Sequence, residues 1–147
     1  MKSVPEETEL KIQQIPPSTT GMIQPWDVYG FRIYKNFVKQ ISDFILLHDI
    51  DIVLHQRDEC IKLQSLVYNQ LCSPRYTSLF KYSWFKSGYV TERPERFLNP
   101  VAFSFRDDEI VCELCDDVRM LRCGWCRLNL CFNHFWKLNH LCNRFVA

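Results

Sequence analysis

The sequence predicts a mainly α-helical protein that ends in a small α+β module, so that a short helical domain is followed by a compact finger. Two observations indicate this fold class. Before residue 106, apolar residues recur at spacings of three and four, which is the period of an amphipathic helix. After it, six cysteines and two histidines lie in closely spaced pairs, which is typical of a module stabilised by metal ions. We predict a loose terminus with a short strand and a Pro-rich loop over residues 1–25, a helical segment with a linker over 26–106, and the finger over 107–147.

Composition limits the classes of function. Apolar residues make up 47% of the 147-residue chain and aromatic residues 14%, which favours a folded protein over a disordered one. The net charge of +1 gives no global basic field that would indicate nucleic acid. No run of apolar residues is long enough to span a membrane, and no secretory signal is evident. We therefore expect an intracellular protein with reduced thiols, located in the nucleus.

Two helices are predicted in the first half of the chain. The first follows Asp27, and the second begins near Asp58. Between them, residues 46–55 predict a solvated loop, in which His48, Asp49, Asp51 and His55 match no metal-site spacing. The apolar faces consist of Phe31, Tyr34, Phe37, Val38, Ile41 and Phe44 in the first helix, and Ile61, Leu66, Val67 and Leu71 in the second, with Cys60 and Cys72 as small apolar fillers.

A third helix is predicted between Ser73-Pro74 and Gly88, since serine is a good N-cap, proline suits the first helical position and glycine ends helices. Its lysines and arginine alternate with aromatic residues, which is typical of a nucleic-acid surface, although an aromatic core helix is the favoured interpretation. The residues that would contact nucleic acid are Arg75, Lys81 and Lys86. Residues 89–106 predict a linker with an extended piece at Val101, Phe103 and Phe105.

The finger carries four ligand pairs, which read CELC, CGWC, CFNH and HLC. A Cys-x2-Cys turn presents two thiolates without strain. Zinc requires four such ligands in a tetrahedron, so eight ligands predict two complete zinc sites. Closed sites of this kind are structural and have no open position for substrate. A cross-brace would group Cys112, Cys115, Cys131 and His134 at one ion and Cys123, Cys126, His140 and Cys142 at the other.

A tandem pairing, in which consecutive pairs share an ion, is the alternative. The cross-brace is favoured because interlocked sites tie both ends of a segment too short to build a large core. We also expect a miniature core around the metals, with the last four of its members on a terminal helix: Val111, Leu114, Val118, Leu121, Trp125, Leu130, Phe132, Phe135, Trp136 and Leu138.

The ligand spacing resembles that of B-box-type cross-brace fingers and, nearly as closely, that of MYND-type fingers. It departs from the B-box pattern in the short His140-x-Cys142 ending and from the MYND pattern in Cys131-x2-His134. Both resemblances cover only the last quarter of the chain. Both imply a module that binds other proteins.

The Pro-rich segment carries a second resemblance. Leu10, Ile12 and Ile15 alternate with polar residues and predict a strand, followed by a rigid non-helical loop in which Asp27 is an expected helix N-cap. The segment is similar to the last core strand and following loop of DDE-type transposases of the mariner and pogo superfamily, at Pro16, Pro17, Thr19, Thr20, Gln24, Pro25 and Asp27. The resemblance implies that Asp27 corresponds to the third catalytic carboxylate, which in that family helps to hold two divalent ions such as Mg²⁺.

The catalytic interpretation of Asp27 requires two further carboxylates on earlier strands, which this sequence does not contain. We therefore predict a non-enzymatic, zinc-binding interaction protein derived from the C-terminal part of a transposase. The partner is predicted to be another protein, with DNA as a further candidate, no membrane, and no prediction of oligomeric state. The alternative is a fragment of an active DDE transposase in which Asp27 is catalytic.

Overall fold

The computed structural model describes residue 14, residues 16–106 and residues 110–147. The strand predicted at Leu10, Ile12 and Ile15 lies outside these residues. The helices are α1 (Thr20–Ile23), α2 (Phe31–Leu47), α3 (Arg57–Leu71), α4 (Thr77–Lys86) and α5 (Pro100–Ser104), and the strands are β1 (Arg119–Arg122) and β2 (Asn129–Cys131). Two π-helical turns, Trp26–Gly30 and Asn133–Lys137, and a 3₁₀ turn, Pro74–Tyr76, complete the elements. No helix in the described part of the chain is long and apolar enough to cross a membrane.

Residues 16–19 are non-helical as predicted, but from Thr20 the Pro-rich segment is helical except at Gln24, so the predicted non-helical loop is wrong over that part. Pro25 adopts helical backbone angles, φ −53° and ψ −39°, at the start of the turn Trp26–Gly30. A proline is compatible with a helix start because its missing N–H would have no intrahelical partner there. Asp27 lies inside this turn and no side chain caps it, so the N-cap interpretation of Asp27 is also wrong. Its carboxylate is favourably located near the positive end of the turn.

The first predicted helix is confirmed as α2, and its buried stripe has i, i+4 spacing: Ile33, Phe37, Ile41 and Ile45. Phe37 and Ile41, which the sequence predicts to face the core, are fully buried. Phe31 is wrongly predicted, because it lies on the exposed side of the first turn. The loop after α2 is confirmed, and its two histidines and two aspartates are exposed.

The second predicted helix is confirmed as α3, although its inward face is rotated from the predicted one. The buried residues are Leu63, Leu66, Val67, Gln70 and Leu71. Ile61 is exposed, and Cys60 and Cys72 are exposed as well, so these three were wrongly predicted as core. A polar residue, Gln70, occupies a core position that the hydrophobic pattern could not reveal.

The third predicted helix begins and ends as expected, but Ser73 does not cap it. The serine hydroxyl instead donates to the carbonyl of Gly124 at 2.6 Å. Gly88 ends the helix with φ +81°, a conformation that glycine adopts without a steric penalty. Tyr76 and Leu79 are fully buried, whereas Trp84 is half exposed. The predicted extended piece at Val101 is the short helix α5, capped by Asn99, whose side chain accepts from Val101 N.

The finger is a small antiparallel hairpin followed by a π-helical turn. β1 pairs with β2, with Arg122 opposite Asn129 and a register irregularity between Arg119 and Leu121. An isolated bridge between Val111 and Val118 joins the first ligand pair to this hairpin. The short strands are therefore held at both ends by the ligand loops.

The finger and the helices share one apolar core. Leu121, Leu130, Phe135 and Trp136 pack in the same buried cluster as the side chains of α2 and α3. The prediction of a separate miniature core in the finger is therefore wrong. Four of the residues predicted to form it are exposed: Val111, Leu114, Val118 and Leu138. The hydrophobic driving force that orders the finger comes from its contact with the helices.

The two parts approach each other closely at Gly124, in the CGWC loop. A Cβ atom on Gly124 would lie 2.9 Å from the ring of Tyr76 and 3.2 Å from the carbonyl oxygen of Gln70. Both neighbours are fully buried, so neither has space to move away. Glycine is therefore required for the CGWC loop to lie against the end of α3.

We expect Gly124→Ala to lower the free energy of unfolding by about 1–3 kcal/mol, because the added methyl overpacks the contact with Tyr76. Gly21→Ala is the matched control, since a Cβ there meets nothing within 4 Å and alanine favours the helix α1. Chemical denaturation of both variants checks the prediction. Equal effects at Gly124 and Gly21 would contradict the close contact.

Candidate metal centre

Tight turns present the first two ligand pairs, and a strand end and a π-helical turn present the third. The Cys112 N–H donates to the Asp117 carbonyl at 2.9 Å, which closes the loop around Cys115. In the second loop, Cys123 N donates to Leu128 O and Arg127 N to Cys123 O, at 2.9 and 3.0 Å. Arg127 has φ +67°, which turns the chain back sharply after Cys126. The third pair is positioned by the end of β2 at Cys131 and the π-helical turn that contains His134.

The fourth pair follows directly from the π-helical turn. His140 N donates to Phe135 O at 3.0 Å, and Asn139 reverses the chain with φ 52°. Asparagine tolerates this left-handed conformation better than most residues. Since Phe135 is fully buried, the backbone at His140 is anchored to the core.

The first and third pairs converge into one group, termed cluster 1: Cys112, Cys115, Cys131 and His134. The His134 Nδ1 atom lies 3.4 Å from Cys112 Sγ, 3.5 Å from Cys115 Sγ and 3.2 Å from Cys131 Sγ. The Sγ atoms of Cys115 and Cys131 are 3.6 Å apart. Glu113 fastens the first loop to β2, because its carboxylate accepts from the backbone and side chain of Asn129, each at 2.9 Å.

The second and fourth pairs converge into cluster 2: Cys123, Cys126, His140 and Cys142. The Cys126 Sγ and His140 Nε2 atoms are 3.7 Å apart. Within each cluster, all four ligand atoms lie within 4.8 Å of one another. Clusters 1 and 2 are the only groups of three or more metal-type side chains in the described ranges.

The spacing within the clusters fits a four-coordinate ion. Zinc binds thiolate sulfur at about 2.3 Å and imidazole nitrogen at about 2.0–2.1 Å, so neighbouring ligands of a tetrahedron lie about 3.5–3.8 Å apart. The observed separations of 3.2–3.7 Å match this edge length. They do not match a disulfide, in which the sulfurs are about 2.05 Å apart, and all eight cysteines are free. Each cluster can therefore hold a metal ion.

The pKa values show that the thiols of cluster 1 cannot all ionise easily in the absence of a cation. Burial raises the pKa of Cys112, but backbone N–H groups of Leu114 and Cys131 outweigh it and lower the pKa to about 7. The Asp117 backbone lowers the pKa of Cys115, yet burial and the thiols of Cys131 and Cys112 raise it to about 12. A divalent cation would remove this conflict, because it stabilises all the thiolates together.

Cluster 2 has the same electrostatic character. Burial, followed by the neighbouring Cys123 and Cys142, raises the pKa of Cys126 to about 12. Burial lowers the pKa of His140, so its imidazole is neutral at pH 7 and can serve as a ligand. Ligand protonation opposes metal binding, so affinity should fall as the pH is lowered.

The polar residues around cluster 2 come from α3, and the sequence analysis missed them. The Gln70 side chain lies 3.6 Å from Cys123 Sγ and accepts from Gly124 N at 2.7 Å. The Trp125 indole N–H donates to Asn69 O at 2.7 Å. Their signal in the sequence is weak: two adjacent carboxamides at the end of an amphipathic helix, one of them at a position where an apolar residue is expected.

The nucleic-acid candidates have different environments. Arg75 donates to the carbonyls of Gly124 and Val146, and its guanidinium lies over the rings of Phe103 and Phe145, at 4.6 and 5.2 Å from their centroids. Arg75 therefore connects the 3₁₀ turn that precedes α4 to the finger. Lys81 and Lys86 are exposed. Asp27 is half buried and belongs to neither cluster, and its catalytic role stays a prediction.

Comparison with known families finds a similarity to a transposase domain. Residues 84–142 match the family described as "Tc5 transposase C-terminal domain". The matched range contains all eight ligands of clusters 1 and 2 but begins after α3. The chain therefore carries a part similar to a transposase C-terminal domain. No curated protein and no solved structure matches the chain.

We expect two thiols of the metal-loaded chain to react rapidly with a thiol-specific chromogenic reagent, because Cys60 and Cys72 are exposed and lie outside both clusters. After chelation, all eight should react, since the remaining six lose their metal. Cys60→Ser combined with Cys72→Ser is the control and should remove the rapid phase alone. Rapid reaction of all eight thiols before chelation would contradict the prediction.

Proposed function

We propose that the chain is a non-enzymatic, zinc-binding interaction module derived from the C-terminal part of a transposase. The observation that carries this proposal is the convergence of eight ligands into two groups of four. Three cysteines and one histidine form a typical structural zinc site, and four protein ligands leave no open position for water or substrate. The ions would therefore stabilise the fold of the finger.

We further propose the cross-brace arrangement, in which each ion joins ligand pairs that are not consecutive in the sequence. The distances across pairs support it, since Cys115 Sγ is 3.6 Å from Cys131 Sγ and Cys126 Sγ is 3.7 Å from His140 Nε2. This arrangement is the one that the B-box-type resemblance implies. The proposal includes a nuclear location, which microscopy of a fluorescently tagged chain tests.

A protein partner is supported by the surface of the finger. Seven large apolar side chains on the finger are about half exposed or more: Ile110, Val111, Leu114, Val118, Leu138, Leu141 and Val146. Exposed apolar groups of this density are common at protein interfaces. The metal ions would hold the loops that carry these side chains in fixed positions.

We expect the purified chain to contain two zinc ions per molecule. Cys115→Ser should reduce this number and unfold the finger, because the free energy of binding a structural zinc ion stabilises the folded state. Mass spectrometry under native conditions measures the stoichiometry, and circular dichroism measures the folding. Cys60→Ser is the matched control and should retain both ions. A finger that stays folded in excess chelator would overturn the proposal.

We expect Leu138→Ser to leave the zinc content and the unfolding midpoint nearly unchanged, since Leu138 is exposed, and to weaken binding of the protein partner at least tenfold. Affinity capture from nuclear extract, with wild type and variant side by side, identifies the proteins whose binding is lost. Lys137→Ser, at the neighbouring exposed position, is the control. Identical capture by wild type and Leu138→Ser would contradict a role for this surface.

A second candidate function, contact with DNA, is favoured by one specific observation. Trp84 and Tyr89 are exposed, with ring centroids 5.4 Å apart, and the exposed Lys81 lines the same groove as Trp84. Lysine neutralises phosphate charge and an exposed aromatic ring can stack on a base. Of the three predicted nucleic-acid residues, Lys81 and Lys86 are exposed for this role, whereas Arg75 contacts the finger.

If this surface binds DNA, Lys81→Glu should weaken binding of a short duplex about tenfold and flatten its dependence on salt, because a phosphate contact is lost. Lys39→Glu is the control, since Lys39 lies on α2 and pairs with Asp43 at 2.6 Å. Fluorescence anisotropy at two salt concentrations measures both variants. Binding that is independent of salt would exclude this candidate.

A further inference from the structure

Cluster 2 differs from cluster 1 in having a polar contact from a distant helix. The side-chain nitrogen Nε2 of Gln70, in α3, lies 3.6 Å from Cys123 Sγ. Gln70 is fully buried. A buried carboxamide is stable only if its donors and acceptor have partners, so the contacts of this side chain define its orientation.

The orientation of the Gln70 amide follows from the neighbouring backbone. The N–H of Gly124 donates to Gln70 Oε1 at 2.7 Å. The reversed amide would set its NH₂ group against this N–H, which is a contact between two donors. The oxygen must therefore face Gly124, and the NH₂ group must face the Cys123 sulfur.

A second carboxamide connects the same helix end to another ligand residue. Asn69 Oδ1 accepts from Gln70 Nε2 at 3.4 Å, and Asn69 Nδ2 donates to the backbone carbonyl of Cys142 at 3.0 Å. The two adjacent side chains therefore join Cys123 to Cys142 across cluster 2. With three thiolates and one neutral imidazole around a divalent ion, cluster 2 would carry a net negative charge, which an N–H donor stabilises.

We infer that Gln70 is a positioning residue for the metal ion of cluster 2: it donates a hydrogen bond to the Cys123 thiolate and thereby raises the metal affinity of this site. The inference rests on the proposed metal binding. It extends the metal site beyond residues 84–142, which match the transposase C-terminal domain, to a helix that precedes them. Metal binding at cluster 2 and docking of α3 are then thermodynamically linked.

The first experiment uses the unmodified chain loaded with NMR-active cadmium. Through-bond coupling from a cadmium nucleus to an N–H proton requires a hydrogen bond to a bound thiolate. We expect the Gln70 side-chain amide and the Trp125 backbone amide, whose nitrogen is 3.4 Å from Cys123 Sγ, to couple to the same cadmium. Coupling at Trp125 without coupling at Gln70 would overturn the inference and leave the proposed metal binding intact.

The second experiment compares the zinc affinities of two variants by competition with a chromophoric chelator. Gln70→Met keeps the length of the side chain but removes the hydrogen-bond donor. We expect it to lower the affinity for one of the two zinc ions roughly 10- to 100-fold. Ser73→Ala is the matched control, because it removes the 2.6 Å hydrogen bond to Gly124 O and touches no ligand atom. It should leave both affinities within about twofold of wild type.

The outcomes separate this inference from the proposed function. Equal losses of zinc affinity in Gln70→Met and Ser73→Ala would show that the effect comes from general loosening of the contact between α3 and the CGWC loop. This result would overturn the role of Gln70. Loss of both ions equally in Gln70→Met would also overturn it, since Gln70 contacts cluster 2 alone. A wild-type chain that binds no metal would overturn the proposed function together with the inference.

Discussion

The convergence of cysteine and histidine side chains from separate loops is the constraint on which the finger depends. The two strands are only three and four residues long, too few to form a stable sheet alone. Each cluster joins loops that are distant in sequence, so the hairpin and the π-helical turn are fixed at several points. The Asp117 backbone lowers the pKa of Cys115, but burial and the neighbouring thiols outweigh it and raise the pKa, whereas burial at Cys112 is outweighed by backbone N–H groups, which lower its pKa. A cation bound at each cluster would therefore suit both the geometry and the electrostatics.

The second determinant is the contact between the CGWC loop and the end of α3. Gly124 allows the backbones to approach, and Ser73 and Gln70 supply hydrogen bonds to the loop. Trp136 and Phe135 extend this contact into the core shared with α2 and α3. The metal clusters and the apolar core are thus adjacent parts of one folding unit, since residues close to cluster 2 belong to both.

The sequence predicted the helices well because their patterns are local. The spacing of Phe37 and Ile41 defined α2, and Gly88 defined the end of α4. The ligand spacing likewise predicted metal-type groups, since Cys-x2-Cys turns have few other uses in a chain with reduced thiols. Whether the pairs interleave depends on tertiary structure, and the spacing alone left the tandem alternative open.

Several of the failures concern contacts between distant segments. Ser73 has the sequence context of an N-cap, but its hydroxyl finds a stronger partner in the Gly124 carbonyl. The sequence predicted that Cys60 and Ile61 lie on the buried face of α3. The observed buried face is rotated from the predicted one, because it includes the polar Gln70, which faces cluster 2. Pro25 reads as a helix breaker, yet it begins a helical turn. For Ser73 and Gln70 a partner remote in sequence determined the outcome, whereas Pro25 lies at the start of a turn, where its missing N–H would have no intrahelical partner.

The core that joins the finger to the helices has an evolutionary consequence. Recombination that separates the Cys/His-rich segment from the two long helices would expose Phe135 and Trp136 to water and remove the partners of the CGWC loop. We therefore expect gene rearrangements that keep these parts together to preserve a foldable product, and breakpoints between them to disrupt it. The unit that evolution can move or fuse to other proteins is therefore larger than the segment recognised by its sequence signature, and it includes the helices from Trp26 onward.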